Sequence, residues 1–343
     1  MTPFASLTLP NGSLLPNRLA KAAMEENLAD RDHAPSKELI RLYRAWAEGG
    51  AGLIITGNVI VDQRAMTGPG GVVLEPVRFG ERFEQWAAAA RAQGAQIHAA
   101  HGYLISQFLS PIANQRTDRW GGSLENRARL LLDIVREVRQ AVRAGFAVSV
   151  KINSADFQRG GFSADDAKQV VAMLNPLGVD LIKLSGGSYE APAMHGQTRD
   201  GRTLAREAYF LEFAQDIASV AQMPIMATGG IRRYPVVEQV LNSGIAVAGM
   251  ATALAIAPDL PATWRADTSA APRLRAIPWK NTMLASVGYM AMVKYQLRRL
   301  SQGKRPRPDV APALALLRQQ WDAKMRTVRY RRWIKAHAAS ASR

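Results

Sequence analysis

Cysteine is absent from the chain. Its absence excludes disulfides, cysteine nucleophiles and thiolate-held iron–sulfur clusters. No uninterrupted apolar run is long enough to span a bilayer. The start, Met1-Thr2-Pro3-Phe4-Ala5-Ser6, lacks a basic run leading into an apolar one, so no secretory signal is read. The expectation is a cytoplasmic protein without a membrane span. Five histidines occur and none stands in an H-E-x-x-H arrangement, so no metal site is read. Acids are scarce at one end. From Pro272 to Arg343, 17 Lys or Arg face two acids, an excess of 15 within a whole-chain net charge of +16. Such a confined excess reads either as a solvated face of terminal helices or as contact with an acidic surface. No stacking platform or recognised motif accompanies it, and no specific nucleic acid is expected.

What is present is globular: 343 residues, 48% hydrophobic and 21% charged, a length suited to one large α/β barrel plus an extension. Seven short strands are predicted, at Leu19–Met24, Gly52–Gly57, Gln96–Ala100, Val148–Ile152, Asp180–Leu184, Pro224–Ala227 and Ile245–Ala248. Helical patterns separate them: Ser36–Glu48, Phe79–Gly94, Ser123–Ala144, Ala164–Leu177, Tyr209–Ala221 and Pro235–Ser243. Ser123–Ala144 is the clearest, with Ser123 as N-cap, Glu125 at the positive end of the dipole, and a stripe through Leu124, Ala128, Leu131, Val135 and Val138. Strand–helix alternation implies parallel strands joined by crossovers, and a closed TIM (β/α)8-type barrel with its site at the strand C-termini. Seven strands are one fewer than such a barrel carries. The domain reading is a barrel over residues 1–270 and a basic helical extension over 271–343, with helices at Pro278–Arg299 and Pro312–Ala338.

Candidate chemistry gathers at strand ends. In Ile97-His98-Ala99-Ala100-His101-Gly102-Tyr103-Leu104, two imidazoles three residues apart can face one small ligand. Neutral N–H groups or a protonated pair can polarise a carbonyl oxygen, and Tyr103 can supply a proton. A structural histidine and a packed tyrosine fit those residues equally well. Lys151 lies inside a strand, where an unpaired cation is costly; it serves a site, or its stem packs while its head reaches solvent. Thr228-Gly229-Gly230-Ile231-Arg232 and Gly249-Met250-Ala251-Thr252 follow the last two strands, where glycines let backbone N–H groups approach an anion. Ser185-Gly186-Gly187-Ser188-Tyr189-Glu190 is expected to form a loop over the site.

The run Asn114-Gln115-Arg116-Thr117-Asp118-Arg119-Trp120-Gly121-Gly122-Ser123-Leu124-Glu125-Asn126-Arg127-Ala128-Arg129 resembles the signature of the Old Yellow Enzyme (NADH:flavin oxidoreductase) family. That signature joins H-x-x-(N/H)-x-Y to a downstream N-x-R-T-D-x-(Y/W)-G-G-S-x-E-N-R-x-R. Asn17–Met24 and Gly49–Gly57 are similar to the family's first two strands, and the resemblance covers most of Leu15–Leu260. It implies FMN across the top of the barrel, with NADH or NADPH as reductant and an activated alkene, an α,β-unsaturated carbonyl, as a small-molecule substrate. Ala23, Met24, Gly57, Lys151, Gly229, Gly230, Gly249, Met250 and Thr252 would bind the cofactor. Lys151 would sit beside the flavin pyrimidine ring. His98 and His101 would bind the carbonyl and Tyr103 would protonate the substrate. A homo-oligomer is compatible with the pattern.

Three departures stand out. Many relatives have Arg where Thr252 stands, a loss that Arg232 or Arg233 would offset. Glu25 replaces a small polar residue or Cys near the reactive edge of the flavin. The helix at Phe79–Gly94 runs straight into the histidine strand, so roughly 30 residues, one βα unit with a flavin-binding Gln, are missing; Gln96 is a candidate replacement. The competing reading is a non-catalytic barrel relic that has lost flavin binding.

Overall fold

The computed structural model describes residues 1–66, 68–74, 79–91, 94–187, 208 and 210–341. Its strands are β1 (Leu7–Thr8), β2 (Leu14–Leu15), β3 (Leu19–Lys21), β4 (Leu53–Ile54), β5 (Val59–Ile60), β6 (Val72–Val73), β7 (Gly94–Ala99), β8 (Ala147–Asn153), β9 (Leu181–Ser185), β10 (Ile225–Thr228) and β11 (Val247–Met250). The helices used below are α1 (Lys37–Glu48), α2 (Gly80–Ala90), α3 (Leu104–Leu109), α4 (Leu124–Ala141), α5 (Ala164–Leu174), α6 (Leu211–Ala218), α7 (Tyr234–Asn242), α8 (Thr252–Ile256), α9 (Leu260–Thr263), α10 (Thr282–Ser301) and α11 (Pro312–Ala341). Contacts divide the chain into two compact units, Met1–Ala20 with Gln93–Met250, and Lys21–Ala92 with Ala251–Arg343.

The first unit is built from βα repeats. Its strands run in the order β3-β11-β10-β9-β8-β7, and the ladders β7–β8, β8–β9, β9–β10 and β10–β11 are all parallel. α3 and α4 follow β7, α5 follows β8, α6 follows β9 and α7 follows β10. That alternation is TIM-barrel architecture. The strands read as continuous apolar runs because both faces are covered: Val148, Val150, Ile152, Ile182 and Leu184 are fully buried. Local signals fix the helix starts. Ser123 accepts a hydrogen bond from the Asn126 N–H, and Ser163 forms a capping box with Asp166. Asp180 ties strand to helix: its Oδ2 accepts from the Val148 N–H at 2.7 Å and from Arg139 at 2.6 Å.

The second unit joins distant stretches of chain. Ile55, just past β4, donates its N–H to the Lys21 carbonyl at the end of β3. α1 is capped by Ser36, which accepts from the Leu39 N–H at 3.0 Å. Gly49 ends it beside Pro258, where an added Cβ would lie 2.1 Å from the Pro258 carbonyl oxygen. α10 and α11 pack on the first part of the unit. Arg41 donates to the Ser301 carbonyl at 3.0 Å, Tyr330 donates to the Gln63 carbonyl at 3.0 Å, and the His33 ring meets Tyr330 edge-on and Trp333 at a tilt. Among the described residues no helix is long and apolar enough to cross a membrane.

The seven predicted strands are all present, the first two shortened, the next two lengthened and the last three shifted by one or two residues. The strand expected over Leu19–Met24 stops at Lys21, so Ala23 and Met24 lie just beyond it. The helix expected from Pro278 starts at Thr282, where Asn281 accepts from the Leu284 N–H.

Candidate active site

In the first unit the histidine cluster lies at the C-terminal end of β7. The chain leaves the strand through His101 at φ 63° and Gly102 at φ 78°, a left-handed corner that a non-glycine residue adopts at some cost. The His101 N–H donates to Asn153 Oδ1 at 3.2 Å. This corner folds His101 back towards His98, with ring centroids 5.3 Å apart, and brings Tyr103, at the start of α3, to 5.0 Å from the His98 ring. The three predicted side chains therefore meet.

Lys151 joins them. It is the register partner of His98 on β8, is 4% exposed, and places Nζ 3.5 Å from His101 Nδ1. His101 Nε2 is 2.7 Å from the Ser185 hydroxyl. Burial pulls the Lys151 ammonium down to about 7, since lost hydration disfavours the charged form and, among the described residues, no carboxylate is paired with it. His98 is pulled down to about 3, first by burial and then by the charges of Lys151 and Lys183. His98 is thus a neutral imidazole at any physiological pH. Its Nε2 is buried without a hydrogen-bond partner, and so is Nε2 of Gln96, which lies two residues earlier on the same face of β7. Two such nitrogens on one face leave hydrogen-bonding capacity that a ligand could meet.

Gly229 and Gly230 follow β10 as expected, whereas Gly249 and Met250, expected after the last strand, form the end of β11. Gly229 and Gly230 have φ of 124° and 73° directly after β10, a conformation that suits glycine. Gly249 pairs with Thr228 in the β10–β11 ladder; an added Cβ there would lie 2.3 Å from Met226 Cε and 2.6 Å from Thr228 Cγ2. Met250 is fully buried at the end of β11. The loop predicted over Ser185–Glu190 is described only as far as Gly187; Ser188, Tyr189 and Glu190 lie outside the described residues.

The long motif buttresses the site. Asn114 donates to the Phe108 and Trp120 carbonyls at 2.8 and 2.7 Å. Arg127 is buried and donates to the carbonyls of Gly122 and Leu109. Gly121 passes so close to Arg116 that a Cβ would lie 2.2 Å from the Arg116 carbonyl oxygen. These bonds tie the end of α3 to the start of α4, and so hold the His98–Tyr103 corner in place.

In the second unit Ala23, Met24, Gly57 and Thr252 have separate surroundings. Gly57 abuts Met24 and Glu26: a Cβ would lie 2.1 Å from the Met24 carbonyl oxygen and 2.0 Å from Glu26 Oε2. Thr252 begins α8. Glu25 is engaged by Lys294 at 2.8 Å. Burial pushes its carboxyl up, but Lys294, Asn27 and Arg326 outweigh that and hold it below the ordinary range.

Sequence reading missed two buried lysines. Lys21, fully buried, donates to Glu26 Oε1 at 3.0 Å and to the Ile55 carbonyl at 2.9 Å. Lys183, 2% exposed, is the register partner of Lys151 on β9. A charge interrupting an otherwise apolar strand, as in Asp180-Leu181-Ile182-Lys183-Leu184, was the available signal.

Comparison with known proteins gives the family of the chain. The sequence model of the NADH:flavin oxidoreductase / NADH oxidase family matches residues 80–269. The NADH-dependent flavin oxidoreductase iliE of Hypocrea jecorina (strain QM6a) is 31% identical over 350 residues, covering 75% of this chain and 87% of that protein. Its namesake from Neonectria sp. (strain DH2) is 30% identical over 353 residues, but this chain spans 46% of its length. Among solved structures, an old yellow enzyme homologue from Zymomonas mobilis superposes with a TM-score of 0.61 at 19% identity, over 79% of this chain and 94% of that one. A 2-naphthoyl-CoA reductase complex superposes with a TM-score of 0.74 at 19% identity, over 88% of this chain and 57% of that one. The chain therefore belongs to the NADH:flavin oxidoreductase / NADH oxidase family, the Old Yellow Enzyme family that its motif resembles.

Proposed function

We propose that the protein is an FMN-dependent oxidoreductase that takes hydride from NADH or NADPH and reduces an activated alkene conjugated to a carbonyl. The observation that carries this reading is the meeting of His98, His101 and Tyr103, all half-buried, with the buried Lys151 in one cluster. The orphaned nitrogens of Gln96 and His98 and the two positive-φ glycines after β10 suit a large polar cofactor. Within the first unit, Lys151, Gly229, Gly230, Gly249 and Met250 would hold it; the family pattern adds Ala23, Met24, Gly57 and Thr252. When bound, FMN supplies a two-electron carrier between nicotinamide and acceptor.

The chain's own residues supply binding and proton chemistry. His98, held neutral, donates an N–H to the substrate carbonyl oxygen and strengthens that bond as negative charge grows there. His101, positioned by Ser185 and Lys151, provides the second donor. Tyr103 gives the proton to the α-carbon. The relic reading is the weaker one, because a chain released from that chemistry has no use for a buried ammonium that, among the described residues, has no carboxylate partner.

Reconstitution of the purified chain with excess FMN tests the reading. Bound flavin absorbance, bleaching by NAD(P)H and reoxidation by a simple enone are expected. Tyr103→Phe should slow the enone step by about 10²–10⁴-fold and leave reduction by nicotinamide nearly unchanged. Equal slowing of both steps would make Tyr103 a shaping residue. Bleaching without reoxidation by any enone would sink the alkene assignment.

A further inference from the structure

We propose that the outward face of α11 is a docking surface for an anionic lipid bilayer, on which the helix lies flat. The inference is independent of the FMN reading above. α11 is apolar on two opposite sides. Its inner side holds it to the second unit: Pro312, Ala315 and Trp333 are buried, and Tyr330 donates to the Gln63 carbonyl at 3.0 Å. Its outer side carries Leu314, Leu317, Trp321, Met325 and Val328, all exposed, with Leu317 and Trp321 at 70% and 66%. At 3.6 residues per turn these five fall within about 40° of Trp321 and run for about 21 Å along the helix. Apolar side chains scattered singly over a surface need no explanation, but a continuous stripe marks an interaction surface.

Charge decides what covers the stripe. Arg318 and Arg329 stand along one edge and Lys324 and Arg331 along the other, all exposed. Beyond Val328 the stripe itself continues as the exposed Arg332 and Lys335. The helix has one acid, Asp322, and Arg298 is paired with it. A second copy of the chain would set like charges against like along both edges, without the acids that paired helices place there. A protein groove would need acids placed one by one, whereas an unbroken basic border asks only for a flat field of negative charge. A bilayer with anionic headgroups answers each part of the pattern. The stripe enters the boundary between headgroups and acyl chains, and the Lys and Arg stems lie along it and lift their charges to phosphate on both sides. The indole of Trp321, apolar with one N–H donor, suits that boundary. The excess of 15 positive charges between Pro272 and Arg343 adds long-range attraction to such a surface. The contact is peripheral, since among the described residues no helix is long and apolar enough to cross a membrane.

The test sediments the full chain with vesicles. It should pellet with equimolar phosphatidylglycerol and phosphatidylcholine, stay in solution with phosphatidylcholine alone, and be released as salt is raised. The double variant Leu317→Ser, Trp321→Ser should bind the mixed vesicles at least about tenfold more weakly. The double variant Lys324→Glu, Arg331→Glu should lose as much, at least about tenfold. These side chains are exposed, so thermal unfolding of both variants should match that of the unmodified chain; Trp321→Ala alone replaces the first variant if it unfolds early. Failure to pellet with the mixed vesicles overturns the proposal, as does equal binding to phosphatidylcholine alone. Loss on charge reversal without loss in the Leu317, Trp321 variant reduces the contact to diffuse charge attraction and overturns it as well. Sedimentation velocity without lipid covers the remaining occupant: a dimer that the Leu317, Trp321 variant dissociates assigns the stripe to a second copy instead.

Discussion

Lys21 and Lys151 are both buried strand lysines, and the protein treats them in opposite ways. Around Lys21 every need is met. Glu26 neutralises it at 3.0 Å, the Ile55 carbonyl accepts at 2.9 Å, and the rings of Tyr43 and Trp46 lie 4.9 and 4.4 Å from Nζ. Tyr43 closes the network by donating to Glu26 at 2.6 Å and accepting from the Gly57 N–H at 3.0 Å. Burial lowers the Lys21 ammonium while Glu26 opposes the shift. Around Lys151 no charge among the described residues opposes it, and the group falls to about 7. On the function proposed above, the contrast separates a charge used for architecture from one held for a ligand.

The largest effect should come from breaking the satisfied side. Glu26→Ala leaves Lys21 and Tyr43 without their acceptor, and denaturant unfolding should show a loss of about 3–5 kcal/mol. A loss below about 1 kcal/mol would mean that water replaces the carboxylate and that the two lysines differ less than their surroundings suggest. Removing the unsatisfied charge should do the reverse: Lys151→Met should stabilise the apo protein by on the order of 1 kcal/mol while slowing flavin reduction by NAD(P)H. A destabilised variant with an unchanged reduction rate would make Lys151 scaffold.

The same contrast can be read from pH. Lys151 is depressed from 10.5 to about 7, so between those values the unfolded chain holds a proton that the folded chain has released. The stability tied to this group is present above the ordinary lysine range and is lost as pH falls towards 7. His98, depressed from 6.5 to about 3, has the same sign, with stability lost as pH falls from about 6.5 towards 3. Stability curves for Lys151→Met should be flatter than those of the unmodified chain between pH 7 and 9, and those for His98→Asn flatter below 6.5. Parallel curves would mean that these groups titrate normally. The smallest effect belongs to the half-exposed pair: Lys294→Ala should cost about 0.5–1 kcal/mol, and a larger loss would place Glu25 with the buried architecture rather than the surface.

Much of this was legible in the sequence because it is local. Caps are written within four residues, so Ser36 and Ser123 were identifiable as helix starts. The strand–helix rhythm follows from runs of Val, Ile and Leu, and His98, His101 and Tyr103 share eight residues of chain. Other features depend on partners far away. Nothing near Lys21 announces that Tyr43 and Ile55 will surround it, and Glu25 meets Lys294 across 269 positions. The ladder of Val59–Ile60 with Val72–Val73 has two residues on each side, too few to carry a period. Lys183 stood in plain view, but only the ladder sets it beside Lys151.

The second unit has a consequence for how the protein is made. Its two stretches, Lys21–Ala92 and Ala251–Arg343, are separated by the whole of residues 93–250. Trp46 waits for the Leu254 carbonyl, Arg41 for Ser301 and Gln63 for Tyr330. On a ribosome the intervening βα repeats, whose contacts are short-range, emerge and order first. The early segment with its buried Lys21 must stay incomplete until α10 and α11 emerge. Its exposed apolar surface during that delay makes the segment before residue 93, rather than the βα repeats, the part of the nascent chain in greatest need of a chaperone.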